Sequence, residues 1–251
     1  MSAAVGIDVG SRSVEVVAVE GGRPRFIAEE ETSFDPLSQC RRLLAGLDLS
    51  CAVATGYGRH LLSRHLGMAV ATEIRAHATA AAALFPGARA LIDIGGQDTK
   101  AIALDAAGKV ARFEMNDRCA AGTGRFLEVM AATLGFTLEE FAASAGEACE
   151  GVAISSMCTV FAASEVTGLL AGGKAREMVA RGLHQAVAMR AAAMLRRLSV
   201  GEPVIFSGGV ARNACLRELL EAELGVRVLV PERPQFTGAL GAALLAARGV
   251  A

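Results

Sequence analysis

Tryptophan is absent from the 251 residues and tyrosine occurs once. A nucleic acid would therefore find almost no aromatic platforms on which to stack its bases. No sign of charge dominates either: 25 basic against 26 acidic residues leave a net charge of −1. That balance excludes the basic surface that draws polyanions or acidic lipid. Lysine is confined to positions 100, 109 and 174. Mean hydropathy is +0.41, which raises the question of a membrane, yet no uncharged apolar run reaches the ~18 residues of a spanning helix. The most apolar stretch, 76–88, is broken by His77 and Pro86. The N-terminus has no basic segment leading into an apolar one, so no signal peptide is expected. The expectation is a soluble, cytoplasmic protein with neither nucleic acid nor membrane as partner.

Also missing is any closely spaced pair among the six cysteines, which stand at 40, 51, 119, 149, 158 and 215. In a reducing compartment they are expected to be ligands or core thiols rather than disulfides. Two of them stand out. Cys119 lies in Asn116-Asp117-Arg118-Cys119-Ala120-Ala121-Gly122-Thr123-Gly124-Arg125-Phe126-Leu127-Glu128. From there the pattern turns helical, with Phe126, Leu127, Met130, Ala131 and Leu134 on one face and Gly135 as the stop. A thiolate ahead of that helix would meet unpaired N–H groups and the positive end of its dipole. Cys158, in Ile154-Ser155-Ser156-Met157-Cys158-Thr159-Val160-Phe161, likewise sits beside a capping hydroxyl, and its helix should run to Gly172-Gly173. Pattern alone leaves both cysteines open between ligands and small buried hydrophobes. Cys40, Cys51, Cys149 and Cys215 read as buried structural thiols. Between 174 and 198 a long amphipathic helix is expected, with Met178, Val187, Met194, Leu195 and Leu198 toward the core.

The chain repeats itself. Ile7-Asp8-Val9-Gly10 returns 85 residues later as Ile92-Asp93-Ile94-Gly95, and Val16–Val19 returns as Ala101–Leu104. Ala52-Val53-Ala54-Thr55-Gly56 before a helix ending at Gly67 matches Val204-Ile205-Phe206-Ser207-Gly208-Gly209 before one ending at Gly225. Each half reads as strands, helix, strand, helix. The division expected is an N-terminal lobe at 1–88 and a C-terminal lobe at 89–251, with the last helix (about 236–251) packing back on the first. The surplus of the second half, about 112–202, holds both cysteine motifs.

Three glycine loops at matching places in the repeat could cradle phosphate. They are Asp8-Val9-Gly10-Ser11, Asp93-Ile94-Gly95-Gly96-Gln97-Asp98-Thr99-Lys100 and Ser207-Gly208-Gly209-Val210-Ala211-Arg212-Asn213. Asp8 is an acid in an apolar strand, which calls for Mg²⁺ or a hydrogen-bond cluster, and with Asp93 it would suit a water-coordinated Mg²⁺.

The repeat and its loops resemble the actin, hexokinase and heat-shock chaperone ATPase superfamily. Within it, the segments 93–100, 116–128 and Cys158-Thr159-Val160-Phe161 closely resemble the ATPases that activate 2-hydroxyacyl-CoA dehydratases. The ATPase subunits of benzoyl-CoA reductase are similar too. The resemblance covers nearly the whole chain. It implies an α/β, duplicated actin-like (ribonuclease H-like) ATPase fold, two lobes with a nucleotide cleft between them. In that family two cysteines from each of two subunits hold one 4Fe–4S cluster on the dimer axis; carried over, the ligands are Cys119 and Cys158. The count agrees: a cubane wants about four thiolates, and a symmetric pair of chains would supply them.

Further roles are expected from the loops, read beside the resemblance. Asp8 and Asp93 would hold Mg²⁺ through water, Gln97 would orient the attacking water, and Lys100 would counter phosphate charge. Gly10, Ser11, Arg12, Gly95, Gly96 and Thr99 belong to the phosphate loops, while Gly122 and Gly124 belong to the cofactor-binding set. Gly208, Gly209 and Asn213 should line the sugar and base side, and Gln235 is a further nucleotide contact. Two departures stand out: Ala76 where the family usually has cysteine beside Glu73 and His77, and Ala163 where it often has glutamate, although Glu165 remains. The implied function is an ATP-dependent one-electron donor, a homodimer loaded by ferredoxin or flavodoxin and discharged into a dehydratase or reductase. The alternatives are a permanent subunit of a benzoyl-CoA reductase-type complex, a small-molecule kinase without a cluster, and a filament-like ATPase. No catalytic base for a kinase is apparent, and the cysteine motifs occupy the place of its substrate insert.

Overall fold

The computed structural model describes residues 3–156 and 158–249. Met157 of the second cysteine motif and the last two residues of the expected C-terminal helix lie outside them. The chain divides into two compact units. The first takes in the chain through Arg89, the segment Leu104–Arg112 and everything from Pro231 onward; the second takes in Ala90–Ala103 and Phe113–Val230.

The first unit is built on β1 (Ala4–Val9), β2 (Ser13–Glu20), β3 (Arg23–Glu31), β4 (Ala52–Thr55) and β5 (Ala69–Val70), ordered β3-β2-β1-β4-β5. Valines at 5, 9, 14, 16, 17 and 19 favour the pleated backbone and are buried. β1 pairs antiparallel with β2 and parallel with β4. The parallel return passes through α1 (Pro36–Leu43), which starts on an Asp35 cap with proline in the first turn. α2 (Arg59–Leu66) ends on Gly67 at φ 66°, and α3 (Glu73–Leu84) starts on a Thr72 cap.

The second sheet repeats this plan. β6 (Ala90–Ile94), β7 (Thr99–Leu104), β8 (Val110–Asn116), β9 (Val204–Ser207) and β10 (Val228–Leu229) are ordered β10-β9-β6-β7-β8. Strand for strand, β6 to β10 stand where β1 to β5 stand in the first sheet, and the partners of the two acids correspond. Asp8 faces Glu15 and Thr55, while Asp93 faces Lys100 and Ser207. Where the first half has one helix between its third and fourth strands, the second has four. These are α4 (Gly124–Leu134), α5 (Leu138–Glu147), α6 (Thr159–Ala171) and α7 (Arg176–Arg197). The face expected on α4, with Phe126, Leu127, Met130, Ala131 and Leu134, is buried. Each such large side chain contributes about 1.5–3 kcal/mol on burial. On α7, Val187, Met194 and Leu195 are buried, as is its C-cap Leu198, whereas Met178 is half-buried and its carbonyl accepts from Val152 N.

α8 (Ala214–Leu224) is followed by α9 (Thr237–Ala247), which packs on β1, β2, β4 and α3. Small residues make the approach backbone to backbone: a Cβ on Gly6 would fall on Ala239 O and Ala243 N. No described helix is long and apolar enough to cross a membrane.

Candidate functional site

In the second unit the acid of the repeated phrase closes a buried charge cluster. Lys100 Nζ lies 3.3 Å from Asp93 Oδ2 and 2.7 Å from Asp98 Oδ2, with the lysine side chain 3% exposed. Ser207 Oγ donates to Asp93 Oδ1 at 3.2 Å. Two carboxylates and one ammonium leave the trio one negative charge, a balance that suits a hydrated cation better than direct phosphate contact. Gly208 adopts φ +85°, and a Cβ there would lie 2.6 Å from Asp93 Oδ1. Only glycine allows the chain to turn so closely past that acid.

The turn from β6 to β7 is tied to the first cysteine loop. Gly95 N donates to Asp98 O at 3.0 Å, Gly124 N to Gly95 O at 2.9 Å, and Arg125 N to Gly96 O at 2.8 Å. Thr99 Oγ1 donates to Gly122 O at 2.7 Å, which commits that hydroxyl inside the protein. Gln97 is exposed at the tip of this turn.

These bonds correct one expectation. α4 begins five residues beyond Cys119, and its first two N–H groups are taken by the carbonyls of Gly95 and Gly96. Two of the donors expected beside Cys119 are thus spent on the glycine turn. Instead, Cys119 sits exposed in a loop that Asn116 folds, its Nδ2 donating to Cys119 O at 2.9 Å and Ala121 O at 3.1 Å. Cys158 is itself the N-cap of α6 and exposed, and the capping hydroxyl expected beside it is corrected: no side chain caps the helix. Its loop is held by Glu165, which accepts from Ser155 N at 2.8 Å, Ser155 Oγ at 3.0 Å and Ser156 N at 2.8 Å. Partial desolvation works against that carboxylate, yet the serine hydrogen bonds hold its pKa below the ordinary value.

The other cysteines divide. Cys40 and Cys215 are buried, and burial pushes the Cys40 thiol up to about 11. Cys51 donates to Ala246 O at 3.2 Å. Cys149 departs from its expected burial: it is exposed in the loop after α5.

In the first unit, Asp8, next to last in β1, lies against Gly238 at the start of α9; a Cβ there would collide with Asp8 Oδ2 and lie 3.1 Å from His77 Nε2. Asp8 and His77 therefore face one spot. Gly10 N donates to Ser13 O at 3.0 Å, leaving Ser11 and Arg12 exposed on the turn. Gln235, half-buried, donates to Glu29 Oε2 at 3.2 Å.

Asn213 caps α8, its Oδ1 accepting from Leu216 N at 2.9 Å, while its Nδ2 meets His184 Nε2 at 2.9 Å. His184, fully buried on α7, has Nδ1 2.8 Å from Ala180 O. Asn116, Glu165 and His184 are positions whose partners sequence reasoning missed. Their signals are faint: an asparagine three residues before a cysteine, an acid on an otherwise apolar helix, and a histidine beside Leu183.

The model of the BadF/BadG/BcrA/BcrD ATPase family matches residues 5–246. The chain belongs to that family. Its members are ATPases, and the actin-like ATPase fold is the one seen here. Among family relatives, the activator of lactoyl-CoA dehydratase of Anaerotignum propionicum is 45% identical over 251 residues, spanning 96% of both chains. A benzoyl-CoA reductase subunit of Thauera aromatica is 30% identical, over 97% of this chain and 93% of its own. A solved structure, the activator of the 2-hydroxyisocaproyl-CoA dehydratase from Clostridium difficile with bound ADPNP, superposes with a TM-score of 0.90 at 36% identity. It covers 99% of this chain and 95% of its own.

Proposed function

We propose that this ATPase activates a 2-hydroxyacyl-CoA dehydratase, or a similar CoA-ester enzyme, by coupling ATP hydrolysis to delivery of one low-potential electron. The observation that carries the reading is the 45% identity, across 96% of both chains, to an activator of lactoyl-CoA dehydratase. Two exposed cysteines on loops pinned by Asn116 and Glu165 support it.

The residues present fit half of an iron–sulfur site. Cys119 and Cys158 offer soft sulfur at the surface, and among the described residues no three or more His, Cys, Asp or Glu side chains form a metal cage within one chain. Two copies would together bring the four thiolates a cubane takes. A 4Fe–4S cluster held there would supply one-electron chemistry. The chain contributes the positive end of α6 at Cys158, which favours the anionic thiolates. Cytosolic ferredoxin or flavodoxin is the proposed electron source, and the homodimer is the proposed active form.

For hydrolysis, Asp8 and Asp93 are assigned to Mg²⁺ through water, and Gln97, exposed on its turn, to orienting the attacking water. Lys100 sets the charge of the Asp93 cluster. Gly10, Ser11, Arg12, Gly95 and Gly96 are assigned to the phosphates, and Gly208, Gly209, Asn213 and Gln235 to the rest of the nucleotide; Thr99, expected at the phosphates, instead ties their loop to Gly122 through its buried hydroxyl. Because Gly95 and Gly96 carry the first N–H groups of α4, a change in that turn moves the helix that follows Cys119. The kinship with a component of benzoyl-CoA reductase supports a second reading, in which the same device is a fixed part of a reductase complex.

The test is reconstitution under anaerobic conditions: reduced protein, Mg-ATP and a candidate dehydratase. Dehydration that starts only with ATP supports the proposal. Dehydratase activity that is indifferent to ATP, or to this protein, contradicts it.

A further inference from the structure

α7 is a single rigid helix of 22 residues, and three functional loops rest on it. The backbone leading to Cys158 lies against Gly182, where Val152 N donates to Met178 O at 3.0 Å and a Cβ on Gly182 would fall on Val152 O. The stem of Arg190 lies on the Cys119 loop, since a Cβ on Gly122 would stand 2.8 Å from Arg190 Cδ. Between them, His184 reaches the glycine loop through Asn213.

The chemistry of that last contact is specific. His184 Nδ1 faces a carbonyl, Ala180 O, so Nδ1 carries the proton and Nε2 presents its lone pair. Asn213 Nδ2 donates to that lone pair, while the same amide's Oδ1 caps α8. Burial keeps the imidazole neutral and the acceptor available. Phe141, 4.4 Å from the imidazole between ring centroids, fixes the ring in place. Asn213 thus has one hand on α8 and the other on α7.

We propose that the His184–Asn213 hydrogen bond makes α7 the element through which an occupied nucleotide loop acts on both cysteine loops. This rests on the reading of Ser207–Asn213 as part of the nucleotide site. His184 touches no nucleotide in this scheme; it is a positioning residue.

Hydrogen–deuterium exchange of the full-length protein, saturated with ADP or with a non-hydrolysable ATP analogue, tests it in the peptides covering 118–123 and 149–156. In the wild type the two nucleotides give different exchange in both peptides. His184→Gln, whose amide oxygen can stand where Nε2 stands, keeps the difference. His184→Asn and His184→Leu, which remove the acceptor, abolish it and weaken nucleotide binding about tenfold, the worth of one buried hydrogen bond. Wild-type nucleotide dependence in the Asn and Leu variants, or none in the wild type, overturns the proposal. Gly209→Val serves as the control for the loop itself: unchanged nucleotide affinity there overturns the loop's assignment, whatever His184 does.

Discussion

Lys100 and Asp93 form a buried ion pair across neighbouring strands, 3.3 Å apart with side chains only 3% and 4% exposed. The ammonium is also 2.7 Å from Asp98, so one cation is shared by two carboxylates. Lys100→Met leaves both acids facing each other without it. Urea unfolding should show a loss of about 3–5 kcal/mol, the usual result of breaking a buried pair by removing one partner. Asp93→Asn leaves Lys100 paired with Asp98 at 2.7 Å, so it should cost less stability than Lys100→Met and leave any bound iron in place, while lowering ATP hydrolysis by roughly a hundredfold or more.

Two glycines should separate fold from binding. A Cβ on Gly6 meets the backbone of α9, whereas one on Gly209 meets nothing within 4 Å. Gly6→Ala should therefore lower the melting temperature, with nucleotide affinity falling only as the fold is lost. Gly209→Val should melt like the wild type and bind ADP at least tenfold more weakly, because the new methyls occupy the space assigned to nucleotide. Calorimetric titration beside thermal melting checks both.

His184 makes stability fall in mild acid. Burial, with Arg181 nearby adding to it and the Ala180 hydrogen bond opposing it, lowers its pKa from 6.5 to about 4. The unfolded chain takes up a proton below pH 6.5 that the folded one refuses until about pH 4. The contribution is complete above the unfolded pKa and is lost across that window, about 3 kcal/mol in all. Urea midpoints measured from pH 7 to pH 4 should show this drop, and His184→Gln should remove its share.

The duplication is legible in the residues because each half must build the same five-stranded sheet, and the phrase at Ile7–Gly10 returns at Ile92–Gly95. The α4 core face is legible for a similar reason: a buried helix repeats its apolar positions with its own turn. The charge cluster is less so. Asp93 and Lys100 are near in sequence, but Ser207 comes from a strand more than a hundred residues on. The first turn of α4 is only partly legible, since Gly124 N and Arg125 N look like open donors until the carbonyls of Gly95 and Gly96 are seen to take them. The partners of Asn116, Glu165 and His184 go unseen because they are loop backbone groups for the first two and the side chain of a distant asparagine for the third.

Cysteine replacements should divide by exposure. Cys119→Ser and Cys158→Ser alter surface sulfurs, so melting of the apo chain and ATP binding should stay within error while iron is lost and dimerisation weakens. Cys40→Ser places a hydroxyl in a buried apolar site and should instead cost about 1–3 kcal/mol without touching iron. Unfolding curves and iron assays on the same preparations make the comparison.

The most direct measurement is iron, acid-labile sulfide and native mass on protein purified without oxygen. The account predicts about two irons and two sulfides per chain, carried by a dimer, which is one cubane shared between two copies. Iron-free protein, or iron retained by a single chain, would contradict it.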